Sequence, residues 1–132
     1  MEEKRLASAP LFAGLRKKEL KALATRVDAI DVAEGKQLAR EGDFAYEFFV
    51  IEKGTAEVTH GGDHVADLGP GDFFGEMGIL GRRRRGATVT ATSPMDLIVM
   101  TEQALRSLRE SEPAVARRLE DAVAQRLAAS GG

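Results

Sequence analysis

The residues best suited to chemistry lie together between Gly71 and Val89. One carboxylate, Glu76, sits between Gly75 and Met77, with Gly78 close behind, and four consecutive arginines, Arg82 to Arg85, run into Gly86-Ala87-Thr88-Val89. Closely spaced glycines let a backbone approach a ligand. Free N–H groups at the start of a short helix attract an anion, and a guanidinium grips phosphate oxygens as a fork. A carboxylate repels phosphate, but it can accept a hydrogen bond from a sugar hydroxyl. Together these groups suit a pocket for a phosphorylated ribose.

Strand parity separates the arginines. Ala87, Val89 and Ala91 are apolar while Thr88, Thr90 and Thr92 are polar, and side chains alternate faces along a strand. If the strand opens at Arg85, that residue shares the inward face, where an unpaired charge is costly. A ligand phosphate or a protein carboxylate would supply the counter-anion. Arg82, Arg83 and Arg84 read as a solvated basic loop. Glu76 in a short first turn reads equally well as a partner of the helix dipole. Arg126 continues the apolar stripe Val115, Leu119, Ala122 and Val123 of the last helical stretch. Either it snorkels at the helix end, or its planar guanidinium stacks as a lid on a purine.

The elements that position these residues fall into three zones. Over about residues 6–27, Leu15, Leu20, Leu23, Ala24 and Val27 recur at helical spacing, predicting one or two amphipathic helices. Over 29–101 short apolar segments are punctuated by glycines, which predicts many short strands in a barrel or jelly roll. Val50-Ile51 and Leu97-Ile98-Val99-Met100 suit strands buried on both faces, and Gly61-Gly62-Asp63 marks a hairpin turn. Over 102–128 the helical period returns, with Ser111 as a cap and Pro113 in the first turn of a final helix.

With 132 residues, 43% hydrophobic and 30% charged, the composition is that of one soluble globular domain. A net charge of −2 gives no global pull toward nucleic acid or anionic membrane. The absence of cysteine excludes disulfides, thiol catalysis and zinc–thiolate sites and suits a cytoplasmic location. The opening Met1-Glu2-Glu3-Lys4-Arg5 is unlike a signal peptide, and no apolar run is long enough to span a membrane. His60 and His64 flank the hairpin turn without a clear third and fourth metal ligand, so they read as turn neighbours and no metal is expected. No catalytic elbow or Walker loop is present, so the chain reads as a binding protein rather than an enzyme.

Phe74-Gly75-Glu76-Met77-Gly78-Ile79-Leu80 and Arg85-Gly86-Ala87-Thr88-Val89 resemble the two halves of the phosphate-binding cassette (residues 74–89) of cyclic-nucleotide-binding domains. This family includes catabolite activator proteins, protein kinase A regulatory subunits and cyclic-nucleotide-gated channels. Pro10 to Leu15 resembles its helical lead-in, and Gly35 to Gly54 its early strands. Leu68 to Met77 is most similar to the prokaryotic potassium-channel members. Two positions depart from the pattern: Gly86 stands where Ala, Ser or Thr is usual, and Arg84 where Pro is common.

The resemblance implies an α+β fold, an antiparallel β-roll flanked by N- and C-terminal helices, and a regulatory sensor for a cyclic nucleotide. It implies a site formed by Phe74, Gly75, Glu76, Met77, Gly78, Arg85, Gly86, Ala87 and Arg126. Arg85 would hold the phosphate, Glu76 the ribose 2′-hydroxyl, and the main-chain N–H groups of Gly78, Gly86 and Ala87 the rest of the anion. Gly86 lacks the hydroxyl that cGMP-preferring members use, so cAMP is the expected ligand; no other cofactor is expected. Two rival readings are a degenerate domain of this fold that binds a partner, and a small nucleic-acid binder using Arg82 to Arg85.

Overall fold

A computed structural model describes residues 1–43, 47–75 and 86–129, with only the backbone described for 126–129. The helix α1 (Glu3–Ala7), a 3-10 turn (Pro10–Phe12) and α2 (Lys17–Ala24) come first. The strands follow as β1 (Asp28–Val32), β2 (Gln37–Ala39), β3 (Glu47–Lys53), β4 (Ala56–His60), β5 (Asp63–Leu68), β6 (Phe73–Phe74), β7 (Thr88–Ala91) and β8 (Met95–Thr101). Two further helices, α3 (Glu102–Ser111) and α4 (Pro113–Ala129), complete the described chain. Among the described residues no helix is long and apolar enough to cross a membrane.

The strands build two antiparallel sheets, ordered β1-β8-β3-β6 and β2-β7-β4-β5. This is the helix-flanked antiparallel β-roll expected from the sequence. The continuous apolar runs explain its centre. Phe49, Ile51, Leu97 and Val99 point between the sheets, where they meet Ala39, Phe74, Val89 and Met95. Their alternates Phe48, Val50, Ile98 and Met100 face outward onto a second cluster, built with Leu6, Phe12, Leu23, Leu105, Leu119 and Val123 of the helices. Burying one such large side chain is worth roughly 1.5–3 kcal/mol, so β3 and β8, covered on both faces, are the spine of the fold. The second sheet presents the half-buried Glu57, Thr59 and Thr90 on its other face.

Local chemistry sets most element ends. Gly61 and Gly62 have φ of 59° and 86°, the double positive φ that a two-residue hairpin needs, and His60 pairs with Asp63 across them. The Thr101 hydroxyl caps α3 by accepting the Ala104 N–H at 3.1 Å. Pro113 opens α4 as expected, but Ser111 does not cap that helix. Ser111 is the last residue of α3, and Glu112 stands between the two helices. The first helix begins at Glu3, ahead of Leu6, and the lead-in is two helices separated by the Pro10 turn. A proline disfavours helical backbone in the residue before it, which ends the first helix ahead of Pro10; Leu15 precedes the Arg16 cap of α2, and Val27 follows its Thr25 cap. The last helix reaches Ala129, one residue past Ala128.

Candidate functional site

The chain leaves the first sheet at β6 and joins the second at β7, so residues 76–85 connect the two sheets. The departure point is firmly built. Phe74 pairs with Phe49 across the ladder, and their rings stack with centroids 4.7 Å apart at 17°. Phe74 is buried, and its ring belongs to the inter-sheet cluster. Just before it, the Gly69 N–H donates to the Asp72 carboxylate at 2.8 Å. The Gly71 N–H donates to the Ile51 carbonyl, and the Ile51 N–H to the Asp72 carbonyl, each at 2.9 Å. Gly75 then turns the chain with φ of 83°, a conformation that glycine adopts without strain.

The rejoining point is built from three elements. Thr88 opens β7 opposite Thr59 of β4, and Val89 pairs with Val58 and Ala39. Strand β7 therefore begins at Thr88 and not at Arg85, with Gly86 and Ala87 in a bend before it. The predicted parity holds within the strand, since Val89 and Ala91 are buried between the sheets. The Gly86 carbonyl lies 2.9 Å from His60 Nδ1, and the Glu41 N–H donates to the Thr88 hydroxyl at 3.0 Å. The Glu41 carboxylate accepts the Gly61 N–H at 2.9 Å.

Of the residues expected to hold ligand, Phe74, Gly75, Gly86 and Ala87 are described, and they flank the connection at its two ends. Glu76, Met77, Gly78 and Arg85 lie outside the described residues, as do Arg82, Arg83 and Arg84. Arg126 falls on α4, but its side chain is also outside them. The stripe that leads to it is as expected: Val115, Leu119 and Val123 are buried against the helix cluster. Sequence reasoning missed Glu41 and treated His60 only as a turn neighbour. Their placement beside Thr88 and Gly86 depends on the β2–β7 and β4–β7 registers, which no local motif encodes.

The two histidines belong to separate networks. His60 faces Gly86 and, at 3.5 Å, Glu41. His64 Nδ1 lies 3.0 Å from Glu57 and its Nε2 3.5 Å from Asp67. The hydrogen bond to Glu57, with Asp67 adding its charge, raises the His64 pKa above the ordinary histidine value. Among the described residues no three His, Asp or Glu side chains converge as a metal site. Open grooves occur between α1 and α2 and at the α3–α4 elbow, and no residue expected to hold ligand lines them.

Comparison with known proteins agrees with this architecture. Residues 29–112 match the family described as "Cyclic nucleotide-binding domain". The chain is 33% identical over 115 residues to the cAMP-dependent protein kinase regulatory subunit of Mycosarcoma maydis, covering 80% of this chain and 22% of that protein. It is 34% identical over 91 residues to the cGMP-dependent protein kinase of Eimeria tenella, covering 68% and 9% respectively. The crystal structure of a cyclic nucleotide-binding domain from Methylobacillus flagellatus KT superposes with a TM-score of 0.84 at 24% identity, covering 96% of this chain and 74% of that one. That last likeness speaks for the fold. The chain spans less than a third of the length of the curated relatives it matches, 29% in one case and 23% in another.

Proposed function

Because this chain belongs to the cyclic nucleotide-binding domain family, we propose that it is a regulatory sensor that binds cAMP in preference to cGMP. The observation that supports this reading is the route of the chain. It departs one sheet at Phe74-Gly75 and rejoins the other at Thr88, with both flanks packed into the inter-sheet cluster through Phe74 and Val89. A glycine- and arginine-rich connection held at both ends by packed strands suits an anion cradle.

In this reading the phosphate docks between Arg85 and the main-chain N–H groups of Gly78, Gly86 and Ala87. Glu76 accepts the ribose 2′-hydroxyl, and Arg126 of α4 stacks on the base. The preference for cAMP rests on Gly86, which has no hydroxyl for the guanine amino group. Helix α4 is the switch element, and ligand moves it only by binding its open and closed positions unequally.

Calorimetry with cAMP and cGMP tests the reading. Saturable binding is expected, with cAMP favoured by about 2- to 10-fold, the equivalent of one hydrogen bond. Silence with both ligands at high micromolar concentration would instead support a degenerate domain that binds a partner. Preference for a polynucleotide, with steep salt dependence, would assign the arginine run to nucleic acid.

A further inference from the structure

Three elements meet where the chain enters β7: the link after β2, the β4–β5 hairpin, and the Gly86–Ala87 peptide. His60 Nδ1 lies 2.9 Å from the Gly86 carbonyl oxygen and 3.5 Å from Glu41 Oε1. That same Oε1 accepts the Gly61 N–H at 2.9 Å, while the Glu41 N–H is tied to the Thr88 hydroxyl at 3.0 Å. A carbonyl oxygen only accepts, so in this arrangement the His60 proton sits on Nδ1. The carboxylate of Glu41 therefore holds both the hairpin tip and, by attraction, the ring that reaches Gly86.

We infer that His60 and Glu41 are positioning residues for ligand binding, a bracket that fixes the plane of the Gly86–Ala87 peptide. The inference rests on the proposed reading, in which the Ala87 N–H belongs to the anion cradle. A trans peptide is planar, with its C=O and N–H pointing opposite ways, and no described peptide bond is cis. Holding the Gly86 carbonyl toward the hairpin therefore turns the Ala87 N–H away from it. Sterics do not do this on their own. Glycine visits both signs of φ freely, and a Cβ built on Gly86 would meet nothing within 4 Å. At a position with that freedom, a hydrogen bond from a neighbouring strand is what selects one orientation.

Two variants of the full chain, His60→Ala and His60→Asn, test the bracket through cAMP calorimetry and amide spectra of the ligand-free protein. His60→Ala should weaken cAMP binding about 2- to 10-fold, the loss of one hydrogen bond, and should shift the Gly86 and Ala87 amide signals. The melting temperature should barely change, because the His60 side chain is 69% exposed. His60→Asn, which offers an N–H near the Nδ1 position, should restore both affinity and spectra. Wild-type affinity in His60→Ala, or an Asn variant as weak as the Ala variant, would overturn the bracket. So would shifted amide signals without any change in affinity. If the wild type takes up neither cAMP nor cGMP, the proposed function fails by itself. The spectra then still decide the bracket, because unmoved Gly86 and Ala87 signals in His60→Ala would overturn it.

Discussion

Glu19 of α2 and Arg118 of α4 form an ion pair, with Oε2 and Nε 3.2 Å apart. The other Glu19 oxygen accepts the Arg16 N–H at 2.8 Å and closes the start of α2, and Arg118 also donates to the Gly14 carbonyl at 3.4 Å. One carboxylate thus caps the second helix and ties it to the last. The tie runs beside the packing of Phe12 and Leu23 with Leu119 and Val123. The N-terminal helices and the proposed switch helix therefore share one hydrophobic cluster and one polar clasp.

Replacing Glu19 should separate the two roles. Glu19→Ala removes both the cap on the Arg16 N–H and the ion pair, and should cost about 1–2 kcal/mol in urea denaturation. The ion pair is the smaller part, because the Arg118 side chain is 45% exposed and solvent screens it. Glu19→Gln keeps an acceptor for the Arg16 N–H and should lose less than half as much. Equal losses would mean that charge, not capping, governs the site.

Gly54 should be intolerant of any side chain. It follows β3 with φ of +92°, and a Cβ there would lie 2.3 Å from the Pro94 carbonyl oxygen and 2.9 Å from Met95 Cα. Both neighbours are backbone, so neither can swing away. Gly54→Ala should therefore cost about 2–5 kcal/mol, combining backbone strain with overpacking. Gly35→Ala is the control, since Gly35 has φ of +91° but open space around it. It should show the strain alone, about 1–2 kcal/mol. Matching midpoints for the two variants would show that the loop before β4 shifts to relieve the clash.

How far the sequence reveals this protein depends on whether the determining contacts are local. Val50-Ile51 and Leu97 to Met100 suit strands covered on both faces, because they are short continuous apolar runs in a glycine-punctuated stretch, and β3 and β8 are such strands. Gly61-Gly62 likewise carries its own turn chemistry. The start of β7 was not legible, because the parity of Ala87, Val89 and Ala91 runs back past Thr88 without marking where the ladder begins. That limit comes from pairing with Thr59, the residue next to the hairpin. Ser111 failed as a cap because the break between α3 and α4 falls one residue later, at Glu112. At the candidate site, Phe74 to Gly78 and Arg85 to Ala87 stand out through residue type. Glu41 and His60 do not, since only the register of three strands brings His60 to Gly86 and Glu41 to Thr88.

The β4–β5 hairpin should carry a small pH dependence of known sign. The hydrogen bond between His64 and Glu57, helped by Asp67, raises the His64 pKa above 6.5. The folded state then holds this proton more tightly than the unfolded chain. Its stabilisation is complete below the unfolded histidine pKa and is lost as pH rises through the folded one. An NMR titration of the imidazole protons should give His64 a midpoint above the ordinary value, and Glu57→Gln should lower it. A midpoint unmoved by Glu57→Gln would assign the shift to Asp67.

In the proposed cradle, Arg85→Ala should weaken cAMP binding far more than Arg83→Ala. Removing one partner of a desolvated charge pair costs about 2–5 kcal/mol, or roughly 30- to several-thousand-fold in affinity. A solvated arginine in a basic loop contributes little beyond screened attraction. Titrating both variants side by side distinguishes these cases. Similar losses would mean that the run acts as a diffuse patch and that no single guanidinium holds the phosphate.

The proposed ribose contact makes a further claim, about coupling between one carboxylate and one hydroxyl. A carboxylate accepting from the 2′-hydroxyl forms a charge-assisted bond, stronger than its neutral counterpart. Glu76→Gln keeps the size and one acceptor but loses the charge, so its defect should be smaller than that of Arg85→Ala. The decisive ligand is 2′-deoxy-cAMP. The wild type should lose affinity for the deoxy compound, and Glu76→Gln should lose less, because its contact is already weakened. The two changes then form a cycle whose coupling energy differs from zero. Equal losses in both proteins would uncouple Glu76 from the hydroxyl and leave it as a carboxylate that only interacts with a helix dipole.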